Sequence, residues 1–275
     1  MIRSILKKSI TAVATAAIVF TVGCDTDLGS SDPKMGTMEV RLHDAPGDYD
    51  EVNVFVESVQ VNRTESDAGW ETITEPNQSY DLLELINGAY EVIGDAVLEA
   101  GTYPQMRLIL SSDNHNVVID GESHDMFIPS GSETGIKLQI NAEIQEDITY
   151  VLLLDFDADR SVVKTGNDAS PVNYLLQPVI RATNEAVTGN IDGTVSEVAS
   201  SVFAISGTDT LSSTITGPDG EFRLVGLEAG TYTVSVEASE DGYEIKNIEG
   251  VSVMVGENTV LEEEVVLEAS SPEAE

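Results

Sequence analysis

Short runs in which apolar and polar residues alternate one for one recur along most of the chain, and this period of two most limits its fold. Met38, Val40 and Leu42 alternate with Glu39 and Arg41. Val52, Val54 and Val56 repeat the pattern, and Val59 and Val61 continue the β-branched run. Successive side chains of a strand point to opposite faces, so such alternation buries one face and wets the other. Trp70 and Ile73 mark another short strand, and more are predicted at 105–111, 116–119, 125–128, 135–144, 149–158 and 173–181. Turn chemistry separates them: Asp44-Ala45-Pro46-Gly47-Asp48, and Asp120-Gly121, a dipeptide favoured in two-residue hairpins. Only 80–87 reads as a helical turn, ended by Asn87-Gly88. Many short strands with regular turn signals predict an all-β chain of antiparallel sandwiches.

The pattern breaks at 182–188, which divides the text into two antiparallel β-sandwich domains in tandem, 37–181 and 189–267. In the second, Pro218-Asp219-Gly220 makes a tight turn, and Phe222 with Leu224, then Tyr232, Val234 and Val236, alternate into a core. The net charge is −36. Acidity of that order can signal disorder, but 41% of the residues are hydrophobic and they are patterned, so the acids decorate a folding chain. Such a surface repels nucleic acid, whose protein partners neutralise phosphates with Lys and Arg. The tail, 268–275, is acidic and is expected to be disordered.

The first 24 residues carry Arg3, Lys7 and Lys8, then an uncharged apolar stretch over 10–22, then Thr21-Val22-Gly23-Cys24. The apolar run is short for a membrane span, which needs roughly 20 residues, and suits the h-region of an export signal. The last four residues resemble the lipobox of bacterial lipoprotein signal peptides, with Thr21 where that motif usually has Leu. The resemblance implies cleavage after Gly23 and acylation of Cys24, the only cysteine. Cleavage would remove three cations and no acid. Membrane attachment would then depend on acyl chains, at about 0.8 kcal/mol per buried methylene. Residues 24–36 read as a polar tether of roughly 20 Å r.m.s. span. Asp25 marks retention at the inner membrane in some bacteria and export in others, which leaves the leaflet open.

Two family resemblances cover the rest. Gly189-Asn190-Ile191-Asp192-Gly193-Thr194-Val195, the segment from Thr216 to Leu224 and Leu227-Glu228-Ala229-Gly230-Thr231-Tyr232 resemble carboxypeptidase regulatory-like, or transthyretin-like, domains. That resemblance implies a seven-stranded sandwich used as a spacer or adhesive module, in a fold sometimes grouped with carbohydrate-binding modules. Leu42-His43-Asp44-Ala45-Pro46-Gly47-Asp48, Ala100-Gly101-Thr102-Tyr103-Pro104, Ile128-Pro129-Ser130-Gly131 and Leu154-Asp155-Phe156-Asp157-Ala158 resemble the domain of unknown function 4382 of envelope lipoproteins. It implies no settled activity.

Chemistry has few places to sit. Asp155, Asp157 and Asp159 would share one strand face about 7 Å apart, where like charges raise one another's pKa. Two readings stay open: structural acids paired with Arg41, Arg107, Lys137 or Arg160, or a calcium site with ligands at about 2.3–2.6 Å. An EF-hand is excluded, because Arg160 and Gly166 stand where its loop needs Gly and Glu. Asp44, Asp48, Asp50 and Glu51 carry the same ambiguity around a Pro-Gly turn. His43, His115 and His124 form no close-spaced metal pattern. Ser130-Gly131-Ser132-Glu133-Thr134-Gly135 lacks the Gly-Lys-Ser/Thr of a phosphate loop, and no nucleophile elbow occurs. Trp70 is the one candidate sugar-stacking residue, with Tyr80, Tyr90 and Tyr103 as companions.

The reading is therefore a non-catalytic, lipid-anchored protein of the cell envelope, expected at the outer membrane. It would act as a binding or scaffold module with a glycan or envelope-protein partner, with calcium as a candidate cofactor. A carbohydrate-binding lipoprotein is the first alternative. A hydrolase without recognisable motif, using Asp155 or Asp157, is the second.

Overall fold

The computed structural model describes residues 33–64, 69–128, 134–167, 170–196 and 198–270. The expected signal peptide, Cys24, most of the tether, residues 129–133 and the last five residues lie outside them.

Ten strands and a helical turn carry the first sandwich as far as residue 161. They are β1 (Met35–Ala45), β2 (Glu51–Asn62), β3 (Trp70–Thr74), β4 (Gln78–Asp81), β5 (Glu91–Glu99), β6 (Gly101–Leu110), β7 (His115–Ile119), β8 (Glu122–Phe127), β9 (Ile136–Ile144), β10 (Thr149–Asp157) and the turn α1 (Ala158–Ser161). Three more complete it: β11 (Val162–Asn167), β12 (Ser170–Leu176) and β13 (Ile180–Asn184). One sheet has the order β13-β10-β1-β5; the other runs β11-β12-β8-β7-β2-β6-β9, with β3 and β4 also on β2. Their inner faces meet through Met38, Val40 and Leu42, the β2 valines, Met106 and Leu108, and Leu152, Leu154 and Phe156. Each fully buried side chain of this kind contributes roughly 1.5–3 kcal/mol relative to exposure.

The sequence alternation maps onto these faces with phase slips at bulges, the clearest of them in β2. Along β2 the buried valines are even-numbered to Val56 and odd-numbered from Val59. A bulge between Val56 and Ser58 in the pairing with β6 supplies the extra residue that flips the faces. Asp120 and Gly121, at φ 53° and 76°, form the two-residue hairpin between β7 and β8, with Ile119 opposite Glu122. The expected helical turn is a single 3₁₀ turn, Leu82–Glu84, capped by the Asp81 side chain on the Leu83 N–H.

A 3₁₀ turn, Glu185–Val187, capped by Asn184, leads into the second sandwich. Its strands are β14 (Thr188–Thr194), β15 (Ser200–Ser206), β16 (Asp209–Ile215), β17 (Glu221–Glu228), β18 (Gly230–Ala238), β19 (Lys246–Val253) and β20 (Asn258–Val260). The sheets β17-β14-β20 and β16-β15-β18-β19 enclose Ile191, Phe222, Leu224, Tyr232 and Val234. The chain is all-β as expected, and most pairs are antiparallel. Three are parallel: β1 with β10, β8 with β12 and β14 with β20. Residues 268–270, read in sequence as the start of the tail, pair back onto 242–244: Ser270 N–H donates to Gly242 O, and Glu244 N–H to Glu268 O.

Candidate functional site

The site grows from the C-terminal end of β10. Leu152, Leu153, Leu154, Asp155 and Phe156 are all buried in succession. The inner face of this stretch packs in the first core, and on the outer face Leu153 approaches Gly226 of the second sandwich. A strand covered on both sides reads as a continuous run, not an alternation.

The strand stops at Asp157. Its carboxylate accepts the Arg160 N–H at 2.9 Å, the N-cap bond that opens α1. The three aspartates therefore do not share a strand face. The strand expected through Ala158 ends one residue earlier, because Asp157 caps a helical turn that carries Asp159 away. All three still border one cleft of about 630 Å³ between the β10–α1 end and β16. Asp155 takes the Arg181 guanidinium at 3.1 Å, and Asp157 lies 3.7 Å from that of Arg160. Of the basic partners expected, Arg160 fills the role. Arg41 instead pairs with Glu39 and Glu185, and Arg107 donates to Gln60. Arg181, not anticipated, also donates to Gly226 O across the domain junction.

This donor set does not fit calcium. Asp155 is taken by an arginine and Asp157 by a helix cap, and among the described residues no group of three or more His, Cys, Asp or Glu is placed to hold a metal ion. Burial raises the Asp157 carboxyl, and Asp155 and Asp159 add like charge, against the Arg160 N–H and guanidinium.

Below the cleft floor sits Asp44, which sequence reasoning placed at the start of a turn. It lies within β1, at 0% exposure, opposite Phe156. One carboxylate oxygen accepts the Ala158 N–H at 3.0 Å; the other, Oδ2, is buried without a partner. Burial raises its pKa well above the ordinary value, and Asp155 and Asp157 raise it further, against bonds from the Ala158 and Ala45 N–H groups. Asp50, from the same acidic stretch, accepts the Gly121 N–H at 2.8 Å and so holds the β7–β8 hairpin.

The other candidates are scattered. Trp70 is half-buried at the start of β3, with the Arg107 guanidinium 4.4 Å from its ring centre. Tyr80 and Tyr103 are core residues, and Tyr90 lies under Arg41 at 4.4 Å, so the four aromatics form no common platform. His115 accepts the Phe55 N–H at Nδ1 and faces Ser111 O with Nε2, which assigns the Nε2–H tautomer; burial lowers its pKa. His43 bonds Ala89 O, and His124 lies against Tyr174.

A second joint ties the sandwiches. The Asn87 N–H donates to Thr214 Oγ1 at 3.0 Å, its Nδ2 to Glu221 O at 3.3 Å, and its Oδ1 accepts the Arg223 N–H. The Arg223 side chain is itself held by Asp192 in a two-bond fork.

Comparison with known proteins agrees with this two-part build. The model of a domain of unknown function, DUF4382, matches residues 35–178, and that of the carboxypeptidase regulatory-like domain matches residues 187–268. No curated protein matches. Among solved structures, the Bacillus anthracis TIE protein is 12% identical over 86% of this chain and 34% of its own, with a TM-score of 0.23. The chain thus spans about a third of that protein. GBS52, the minor pilin of Streptococcus agalactiae, is 10% identical over 86% of this chain and 99% of its own, with a TM-score of 0.22. Overlaps this loose carry no argument about fold or function. The match over residues 35–178 does: this chain belongs to the DUF4382 family, with a carboxypeptidase regulatory-like domain joined behind it.

Proposed function

We propose that this protein is a non-catalytic, lipid-anchored module of the bacterial cell envelope, held at the outer membrane by acyl chains on Cys24, and that its paired sandwiches work as a binding scaffold. The observation that carries the reading is the place of the lone cysteine. It ends a leader with the charge and hydropathy of an export signal, eleven positions before β1 opens at Met35. The side-chain ties at Asn87 and Arg181 support a scaffold role, since they join the second sandwich to the first beyond the covalent link. Among the described residues no helix is long and apolar enough to cross a membrane. The arginine on Asp155 and the helix cap on Asp157 argue against calcium as a cofactor. The glycan reading gains nothing from Trp70, one face of which is covered by Arg107.

The full chain, expressed in a diderm host fed an alkyne fatty acid, tests the anchor. Label on the N-terminal peptide at Cys24, lost in Cys24→Ser with release of the protein from membranes, is the expected result. An unlabelled protein with a free thiol in the soluble fraction overturns it.

A further inference from the structure

We propose that the cleft between the sandwiches receives an extended basic peptide, which adds as a fifth strand to the β16 edge while its cationic side chains meet the carboxylates of β10 and α1. The inference rests on the reading of the chain as a binding module and names the chemistry of its partner.

The sheet order β16-β15-β18-β19 leaves β16 at an edge. The Thr216 N–H donates to Ser200 O at 2.9 Å, so residues 200 and 216 are a hydrogen-bonded pair. Antiparallel pairs alternate between bonded and non-bonded. Val202 with Thr214 and Ala204 with Ser212 are therefore bonded, and Phe203 with Ser213 is not. The N–H and C=O of Ser213 consequently point away from β15, towards the open edge. Ser213 and Phe203 both border the cleft of about 630 Å³.

Edge strands are usually blunted with Lys, Pro or bulges. The opposite edge of this sheet follows that rule: β19 carries Lys246, Glu249 and Gly250, the last at φ 78°. β16, Asp-Thr-Leu-Ser-Ser-Thr-Ile, has neither Lys nor Pro, and its bulge, at Leu211, precedes the regular pairs that run from Ser212 to Ile215. It is an edge left able to pair, inside a recess that limits what can reach it.

Charge selects the occupant. Asp155 and Asp157 each have an arginine, but Asp159 and Asp209, which also border the cleft, are in no ion pair among the described residues. Arg160, 69% exposed, borders the same cleft and lies 3.7 Å from Asp157. The chain's own ends are poor occupants, since 268–275 and 25–32 are acidic, and a second copy would bring its own charge of −36. A basic segment of another protein meets both requirements, pairing groups and opposite charge.

Fluorescence anisotropy with the full acylated chain in neutral detergent tests this. The probe is the peptide Lys-Val-Lys-Thr-Lys-Val-Lys-Thr, set against the same sequence N-methylated at alternate residues, which keeps the charge and loses strand pairing. The unmodified peptide should bind, and the methylated one should bind at least about tenfold more weakly. Ser213→Pro should weaken the unmodified peptide by a similar factor, because Pro removes the outward N–H and no ladder bond to β15. Should that variant fold poorly, the double variant Asp159→Asn, Asp209→Asn serves instead, with weaker binding and a shallower salt dependence expected. Equal binding of the two peptides, no binding of either, or a dimer of the chain that Ser213→Pro dissolves would each overturn the proposal. If no peptide binds while acyl label stays on Cys24, the cleft assignment falls and the anchored module stands.

Discussion

Both sandwiches cross from one sheet to the other through the same six residues. Leu98-Glu99-Ala100-Gly101-Thr102-Tyr103 joins β5 to β6, and Leu227-Glu228-Ala229-Gly230-Thr231-Tyr232 joins β17 to β18. In each, the leucine and tyrosine are buried, and the tyrosine hydroxyl donates to the glutamate carbonyl four residues back, at 3.0 Å in the first and 2.8 Å in the second. This is a tyrosine corner, which pins the chain where it changes sheets. The glycines differ. Gly101 sits at φ 147°, and a Cβ there would lie 3.0 Å from the Arg63 guanidinium; Gly230 has no positive φ, and its Cβ would make ordinary contacts, with the Tyr232 ring at 3.6 Å and Glu228 O at 3.9 Å. The shared sequence specifies the tyrosine bond, while the surroundings decide whether the glycine is required.

The sharpest contrast between the halves is polar burial. The first core holds a carboxyl, Asp44, whereas the buried polar groups of the second are hydroxyls of Ser and Thr. Burial raises the Asp44 pKa, so the folded state keeps a proton that the unfolded chain has released. That stability is present in full below the unfolded carboxyl value, about pH 4, and is lost as pH rises through the folded value. Urea unfolding of the first sandwich, followed by the single Trp70, should therefore move to lower urea from about pH 4 to 8. The second sandwich, followed by hydrogen exchange, should show no such drift. Asp44→Asn should flatten the slope, and an unchanged slope would break the contrast.

The glycines come next in size. Gly101→Ala should cost about 1–3 kcal/mol, the range for an ordinary residue in a sparsely populated backbone region. Gly230→Ala should stay within about 0.5 kcal/mol. Urea midpoints read both, and equal losses would mean that the corners are equivalent after all. The tyrosines give the smallest effect. Tyr103→Phe and Tyr232→Phe should each cost about 1 kcal/mol, one hydrogen bond apiece. Calorimetry that found one of them neutral would remove that corner from the comparison.

Much of this was legible in the residues. Alternation located β1, β2 and β6, and Asp120-Gly121 located a hairpin. β5 was not anticipated. Gly94 and Asp95 interrupt its text, and its buried positions, Ile93, Gly94 and Leu98, do not alternate because a bulge at Val40 and Arg41 disturbs its pairing with β1. The end of β10 was misread because period two carries Asp159 onto the strand face, whereas the capping bond of Asp157 is a local rival to the ladder. Arg181 reaches Asp155 only through the pairing of β13 with β10, and Asp44 is sealed only because β1 runs parallel to β10. Such relations between distant segments leave no periodic trace.

The parallel pairing of β14 with β20 bears on the order in which the molecule can be completed. The first sandwich has all its strands by Asn184, so it can close while the rest of the polypeptide is still being delivered. The second cannot. Its opening strand waits for Asn258–Val260, and Val195 for Val265, which arrive late in the chain. A protease that trims the C-terminus, or a stalled export event, would leave that half unsealed and its apolar interior open to water, while the half nearer the N-terminus survives intact.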